Sequence, residues 1–286
     1  MRRVILLFLV TAACAGPARR PITTPPAVPV AASSIRLGSW NLKRLGHGEK
    51  RLDVVAEVIE HELDVVAIEE VMTPGGVQDL LAELPGWQAA ISPTAVGQNG
   101  YEEHYAVLYR SSLVAITKTF TMDDPRDDLA REPFVACLRA AAFDACVVVF
   151  HAVYGKGGVK LRDDEIEALG LLVTDLRNAG PEKDWLVVGD FNRPHTAPGF
   201  GIFSDAGWGC VLGPGPLPTT LGMAAYGKPY DHLLVDAAAT KEYQGTAVRY
   251  DLVAGPCRDD FVWCRDEVSD HAPVIARFST AGPDDD

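Results

Sequence analysis

The sequence lacks several features that would place it in well-known protein classes. None of its six cysteines lies in a CxxC pair, so it contains no closely spaced zinc motif. Basic residues are scarce, with 26 Lys and Arg against 39 Asp and Glu and a net charge of −13. This balance argues against a nucleic-acid module that works through a basic face. There is no internal repeat, which argues against a repeat architecture.

The first residues differ in composition from the rest of the chain. MRRVILLFLVTAACAG has two arginines, a short apolar run and small residues, as a secretory signal does, and the run is too short for a mature membrane helix. Thr11-Ala12-Ala13-Cys14 resembles a bacterial lipoprotein cleavage box, although Thr11 stands where leucine is usual. We therefore expect an exported protein, either secreted or held at the cell envelope by a lipid anchor at Cys14.

These features suggest how the chain is divided. We predict a signal peptide over 1–13, a Pro-rich tether over 14–34, a folded domain over 35–280 and an acidic tail over 281–286. The length and the 48% hydrophobic content allow one large domain or two small ones. Residues 1–34 carry four arginines and no acidic residue, so the remainder has a net charge of −17. That charge suits a protein that collects divalent cations, and it equally suits simple solubility.

The cysteines beyond the tether fit an oxidising compartment. Cys137 and Cys146 flank a predicted hairpin and could form a cross-strand disulfide. Cys257 and Cys264 could close a short loop, which would leave Cys210 as the odd thiol.

Hydrophobic periodicity predicts alternating strands and helices early in the chain and hairpins in the middle. A purely parallel doubly wound sheet would not contain the central hairpins, so the pattern favours mixed sheets packed together with helices outside. The predicted strands cover 34–42, 64–68, 105–109, 132–137, 145–153, 185–188, 232–235 and 273–278, and the predicted helices cover 49–63, 76–84 and 162–178.

The stretch DWLVVGDFN contains the clearest candidate site. Trp185 to Val188 is an apolar run typical of a buried strand, and it ends at Gly189. Asp190 and Asn192 follow two residues apart, so extended backbone would project both side chains to the same side. The end of a buried strand is a usual place for an active site, although Asp and Asn are also common turn residues.

Similar polar residues stand at or beside the ends of other predicted strands. Carboxylates and amides without thiolates suit Mg²⁺, and Mn²⁺ or Ca²⁺ as alternatives, better than zinc. Two histidines near such a cation suit acid–base chemistry on a phosphate ester. The set comprises Asn41, Glu70, His151, Asp190, Asn192, Asp231, Asp270 and His271.

In these motifs the chain resembles the endonuclease/exonuclease/phosphatase family, and more narrowly its deoxyribonuclease I-like branch. The motifs are SWNL, DVVAIEEV, YEEHYAVLYR, REPF, the strand that contains His151, GDFN, YDHLL and SDH, in family order from about Ile35 to Phe278. The resemblance implies a four-layer α/β sandwich, in which two mixed, mainly antiparallel β-sheets pack face to face with helices on the outside.

The resemblance also implies roles for individual residues. Glu70 would be the main cation ligand, with Asn41, Asp190 and Asp270 beside it. Asp190 and Asn192 would orient the attacking water and hold the scissile phosphate. Glu69 stands where the family usually has Gln, so the neighbouring Glu70 is the better match.

Two histidine–carboxylate pairs are implied as well. Asp231 would orient His271, and the second pair, typical of the deoxyribonuclease branch, would be His151 with Glu103. The remaining implied contacts are Tyr101 to DNA, Arg131 as the arginine of the REP motif, and Lys43 as the basic residue just after Asn41. The branch typically carries a basic minor-groove residue two positions after the Glu70 equivalent, where this chain has Met72.

Taken together, the residues and the resemblance predict an exported, monomeric, divalent-metal-dependent phosphodiesterase, most simply an endonuclease acting on DNA. A first alternative keeps the fold and acts as a phosphatase or on a phospholipid or inositol phosphate. A sphingomyelinase-like enzyme would need an exposed aromatic loop, for which 200–208 is the candidate. A second alternative is a non-catalytic binding module, but such a module should have lost one of Glu70, Asp190, Asp231 and His271, and all four are present.

Overall fold

The computed structural model describes residues 33–98, 100–155 and 158–282. The predicted signal peptide, Cys14 and all of the tether up to residue 32 lie outside these ranges, as do residues 283–286 of the predicted tail. No helix in the described part of the chain is long and apolar enough to span a membrane.

Besides a 3₁₀-helix over Pro198–Phe200 and a π-helix over Cys264–Val268, the described residues form thirteen strands and five α-helices. In chain order they are β1 (Ser34–Leu45), α1 (Leu52–Glu62), β2 (Val65–Val71), α2 (Pro74–Ala82), β3 (Trp87–Ile91), β4 (Val96–Gln98), β5 (Tyr101–Arg110), β6 (Ala115–Thr121), β7 (Phe134–Ala140), β8 (Phe143–His151), α3 (Gly158–Ala179), β9 (Trp185–Asp190), α4 (Gly201–Asp205), β10 (Gly209–Cys210), β11 (Asp231–Val235), β12 (Tyr243–Arg249), α5 (Phe261–Trp263) and β13 (Val274–Ser279).

These strands form two mixed sheets. The first sheet has the order β12-β13-β1-β2-β5-β3, with β4 paired to β5. The second has the order β10-β11-β9-β8-β7-β6. Each sheet has one parallel pair, β1 with β2 and β8 with β9, and the other pairings are antiparallel.

Three apolar clusters separate the layers. The middle one lies between the sheets and includes Phe143 and Phe278, whose stacked rings have centroids 5.2 Å apart. Burying one such ring stabilises the fold by about 1.5–3 kcal/mol. The outer clusters join α1 and α2 to the first sheet and α3 and α4 to the second. The predicted four-layer α/β sandwich is confirmed.

The cysteine predictions are confirmed. Cys137 and Cys146 lie directly opposite each other on β7 and β8 and form a disulfide. Cys257 and Cys264 form the second, which closes the loop that contains α5. Cys210 is the free cysteine of the described residues.

The first strand is longer than the sequence pattern predicts. Pairing of β1 with β2 is interrupted after Asn41 and resumes at Leu45. In the interruption Lys43 and Arg44 adopt positive φ values of 44° and 60°. A bulge of this kind bends a strand and re-aims its side chains, and here it occurs directly after the predicted ligand Asn41.

Candidate active site

A cleft of about 1070 Å³ opens over the ends of strands from both sheets. It collects most of the polar residues singled out in the sequence. Those that line it are Lys43, Glu70, Tyr101, Arg131, His151, Asp190, Asn192, Asp270 and His271.

The GDFN turn places a carboxylate in this cleft. Gly189 has a φ of 139°, and a Cβ atom there would lie 1.8 Å from the carbonyl oxygen of Phe150, so only glycine lets β8 and β9 approach at this point. Asp190 ends β9 and is buried. The backbone N–H of Asn192 donates to Asp190 Oδ1 at 2.9 Å, which fixes the carboxylate and leaves Oδ2 toward the histidines.

Asn192 itself is buried and has a φ of 51°. Its Nδ2 donates to the carbonyl of Ala152 at 3.0 Å. The amide therefore ties the loop after β9 to the end of β8.

His151 and Glu103 form one histidine–carboxylate pair. Nδ1 of His151 donates to Glu103 Oε1 at 2.8 Å, and both side chains are buried. This bond fixes the tautomer, so Nε2 is the atom available to a substrate, and it lies 3.7 Å from Asp190 Oδ2. The hydroxyl of Tyr105 receives the backbone N–H of His151 and fixes the end of β8.

His271 and Asp231 form the second pair. Nδ1 of His271 lies 2.9 Å from both carboxylate oxygens of Asp231, and Nε2 lies 3.7 Å from Asp190 Oδ2. The buried Thr219 donates its hydroxyl to Asp231 and accepts the backbone N–H of the same residue. Ser269 accepts the backbone N–H of His271 and donates to the carbonyl of Asn41. Both loop residues position catalytic candidates, and sequence reasoning missed them.

The charges of the cleft reinforce these pairs. Burial opposes protonation of His151, but the Glu103 carboxylate outweighs it and the pKa of His151 is raised. Burial likewise opposes protonation of His271, but Asp231 and then Asp190 raise its pKa well above the usual value. Burial and the charge of Asp231 raise the pKa of Asp190, against the opposing effect of His271.

Glu70, Asn41 and Asp190 make a third contact group. Asn41 Nδ2 lies 3.0 Å from Glu70 Oε1 and 3.2 Å from Asp190 Oδ2. Glu70 has a φ of 57°, at a register shift between Ile68 and Val71, and this turns its side chain into the cleft.

Glu69 points the other way, into the protein. It is fully buried, its Oε1 accepts the hydroxyl of Ser39 at 2.8 Å, and its Oε2 has no hydrogen-bond partner among the described residues. Burial raises the pKa of Glu69 well above its usual value, against the opposing effect of the hydrogen bond from Ser39.

The ligand atoms that the cleft offers fit a hard divalent cation. Glu70, Asp190 and Asp270 supply carboxylate oxygens and Asn41 supplies an amide, with no thiol among them. Asp270 lies 3.6 Å from Arg265, at the rim of the cleft.

The predicted substrate contacts differ in how freely they face the cleft. Arg131 is buried, donates to the carbonyls of His151 and Ala152, and lies with its Cζ 5.0 Å from the ring centroid of Tyr101. It therefore also anchors the end of β8. Lys43 Nζ donates to the carbonyl of Arg265 at 2.6 Å and lies 3.6 Å from Asp266, which holds it against the π-helix Cys264–Val268.

Glu165 supports the same region, and sequence reasoning missed it as well. It lies on the buried face of α3 and accepts the backbone N–H groups of Ala130 and Val153, each at 2.8 Å. It therefore joins the segment that carries Arg131 to the segment that follows His151. A single acidic residue within an amphipathic helix gives no signal of such a role.

Comparison with known proteins agrees with this geometry. The sequence matches the Endonuclease/Exonuclease/phosphatase family over residues 38–271. The chain belongs to this family. The match supports a phosphodiester hydrolase, and the predicted family and its deoxyribonuclease I-like branch are confirmed.

Individual relatives of this family member include both nucleases and a phosphatase. A Deoxyribonuclease from Thioalkalivibrio sp. (strain K90mix) is 31% identical over 262 residues, which cover 87% of this chain and 72% of that protein. Deoxyribonuclease-1-like 2 from Mus musculus is 24% identical, over 87% of this chain and 93% of that protein. The solved structure of the 3′ phosphatase NExo from Neisseria, bound to a product DNA hairpin, has a TM-score of 0.60 at 20% identity and covers 86% of this chain and 99% of that chain. At that identity the likeness concerns the fold.

Proposed function

We propose that this family member is an exported, divalent-metal-dependent endonuclease that hydrolyses phosphodiester bonds in DNA. The observation that carries the proposal is the position of Asp190, whose Oδ2 lies 3.7 Å from Nε2 of both His151 and His271. Each histidine has its own carboxylate partner at Nδ1, so two proton-transfer groups flank one acidic residue.

The residues of the chain account for the proton transfers. One imidazole Nε2 accepts a proton from the attacking water, and the other delivers a proton to the leaving oxygen. Glu103 and Asp231 stabilise the imidazolium that forms beside each of them. A bound Mg²⁺, with Mn²⁺ or Ca²⁺ as alternatives, would be held by Glu70, Asn41, Asp190 and Asp270 and would neutralise charge on the phosphate oxygens.

DNA is the proposed substrate because the named relatives that match most of the chain are deoxyribonucleases and because the residues of the second histidine pair are in place. Tyr101 and Arg131 lie on the same side of the cleft and are the proposed contacts to the strand. Asn192 would contact the phosphate through the second hydrogen of its amino group, since the first is donated to the carbonyl of Ala152. We further propose that the protein acts as a monomer outside the cytoplasm, with a lipid anchor at Cys14.

The phosphatase alternative rests on the fold shared with the 3′ phosphatase from Neisseria. The phospholipid alternative has less support, because Phe200, Phe203 and Trp208 in the aromatic loop are buried against the second sheet instead of exposed. Purified protein should be assayed with plasmid DNA, RNA, sphingomyelin and inositol phosphates, with and without Mg²⁺. Metal-dependent nicking of plasmid DNA supports the proposal, and turnover of another substrate with DNA left intact contradicts it.

A further inference from the structure

A second group of possible metal ligands lies apart from the cleft contacts just described. His195, Cys210 and His232 each offer a ligand atom, and these atoms lie within 4.8 Å of one another. They come from the loop after β9, from β10 and from β11. We propose that these three side chains form a site for a borderline-soft transition metal of the Zn²⁺ class, separate from the hard-cation site of the cleft.

His232 already has the arrangement of a metal-bound histidine. Its Nε2 lies 2.8 Å from the carbonyl oxygen of Arg193, and since a carbonyl only accepts, Nε2 carries the proton. Nδ1 is therefore left with a lone pair, and it faces Cys210 Sγ at 3.8 Å. In proteins, a histidine that binds a metal through one ring nitrogen usually donates a hydrogen bond from the other nitrogen to a backbone carbonyl or a carboxylate.

The spacing of the ligands also fits. Zinc–sulfur bonds of about 2.3 Å and zinc–nitrogen bonds of about 2.0–2.1 Å, set at a tetrahedral angle, separate the two ligand atoms by roughly 3.5 Å. The observed 3.8 Å between Cys210 Sγ and His232 Nδ1 therefore needs little movement to accept an ion. His195 packs edge-on against His232, with ring centroids 5.4 Å apart.

The site is accessible and leaves a coordination position open. His232 is buried, whereas His195 and Cys210 are partly exposed, so an ion can enter from the His195 side. Three protein ligands leave the fourth tetrahedral position to solvent. The mixture of one thiolate and two imidazoles favours Zn²⁺ over Mg²⁺ or Ca²⁺, which take oxygen ligands.

Binding here would brace two segments that carry cleft residues. His232 directly follows Asp231, which orients His271, and His195 lies three residues after Asn192. The proposed ion would join these segments at their outer side. We therefore expect it to raise the thermal stability of the protein by binding the folded state.

Cobalt is the probe that reports this site directly. Co²⁺ added to the full chain, with its disulfides intact and Cys14 replaced by Ser, should give a near-ultraviolet thiolate-to-cobalt charge-transfer band. The band should persist in Glu70→Gln, because the cleft group supplies no thiolate, and it should vanish in Cys210→Ser. His195→Ala should weaken Co²⁺ binding by at least about tenfold, since it removes one of three ligands while its ring is partly exposed.

The stability measurement is independent of the spectrum. Zn²⁺ should raise the melting temperature of the native protein and of Glu70→Gln, and the shift should be lost in Cys210→Ser. The matched control is His61→Ala, which removes an exposed histidine on α1. A protein that shows no charge-transfer band while its Cys210 thiol is reduced and titratable, or a band that survives in Cys210→Ser, would overturn the proposal.

Discussion

His151 and Asp190 lie opposite each other on the parallel strands β8 and β9, with His151 Nε2 3.7 Å from Asp190 Oδ2. Asp231 is the partner of Asp190 on the other side, on β11, so the second sheet supplies three functional side chains in one row. The partners of His151 and Asp231 come from the first sheet: Glu103, which pairs with His151, lies on β5, and His271, which pairs with Asp231, precedes β13. Each histidine–carboxylate pair therefore bridges the two sheets, and only their face-to-face packing assembles the site.

Replacing His271 with Ala should abolish most of the activity. A proton-transfer group is worth about 10²- to 10⁴-fold in rate, and we expect a loss in this range for plasmid nicking. The melting temperature should also fall, because the buried Asp231 carboxylate loses its histidine partner, so the rate is measured well below the melting temperature of the variant. His61→Ala is the matched control, and a His271→Ala variant with an unchanged rate would remove this residue from the mechanism.

Replacing His151 with Ala tests the assignment to the deoxyribonuclease branch. Loss of this ring removes the second proton-transfer group, so DNA cleavage should fall by about 10²-fold or more. Glu103→Gln should also lower the rate, because an amide can present its amino group to Nδ1 and disfavour the tautomer fixed by the carboxylate. Normal DNA cleavage by both variants would show that this pair is not catalytic and would favour the phosphatase alternative.

Replacing Glu165 with Gln should loosen the wall of the cleft. The substitution places an amino group against one of two backbone N–H donors, and leaving a buried donor unsatisfied costs about 1–3 kcal/mol. Urea unfolding would measure this loss, and Glu167→Gln, on the exposed face of the same helix, is the control. Equal stability of the two variants would mean that Glu165 does not join the two segments.

The buried His232 should make stability depend on pH in the absence of metal. Burial lowers its pKa from 6.5 to about 4, so the unfolded chain takes up a proton at a higher pH than the folded protein does. The neutral, buried His232 therefore contributes about 3 kcal/mol to the free energy of unfolding above pH 6.5, and this contribution is lost as the pH falls toward about 4.

Urea unfolding of the native protein and of His232→Gln, across this pH range with EDTA present, measures that contribution. The native protein should lose more free energy of unfolding on acidification than the variant does, and His61→Gln serves as the solvent-exposed comparison. If the free energy of unfolding of the native protein and of His232→Gln changed equally with pH, His232 would not be the source of the pH dependence.

The buried strands and their polar ends could be predicted from the sequence because their patterns are local. The apolar run before Asp190 and the glycine within it indicate a strand and a sharp exit, and the structure has both. The edge strands β6 and β12 were not predicted, because their partly exposed residues show no buried apolar pattern. Their place in the fold depends on pairing with β7 and β13.

Other parts of the site depend on contacts between distant segments. Thr219 and Ser269 lie in irregular segments, where hydroxyl residues are common and carry no distinguishing pattern. The ligands His195, Cys210 and His232 come from three elements, so no short motif marks them. By contrast, the preference for Glu70 over Glu69 came from the family pattern, and the structure gives its physical reason in the opposite directions of the two side chains.

That pair of neighbours provides the most direct test of the central claim, a cation-dependent phosphodiesterase site in the cleft. The rate of plasmid hydrolysis should be measured as a function of Mg²⁺ for the native protein, Glu70→Gln and Glu69→Gln, beginning from EDTA-treated samples. We predict no cleavage without metal, full recovery with Mg²⁺ for the native protein and Glu69→Gln, and little recovery for Glu70→Gln. Cleavage by the metal-free native protein, or equal Mg²⁺ dependence of Glu70→Gln and the native protein, would contradict the account.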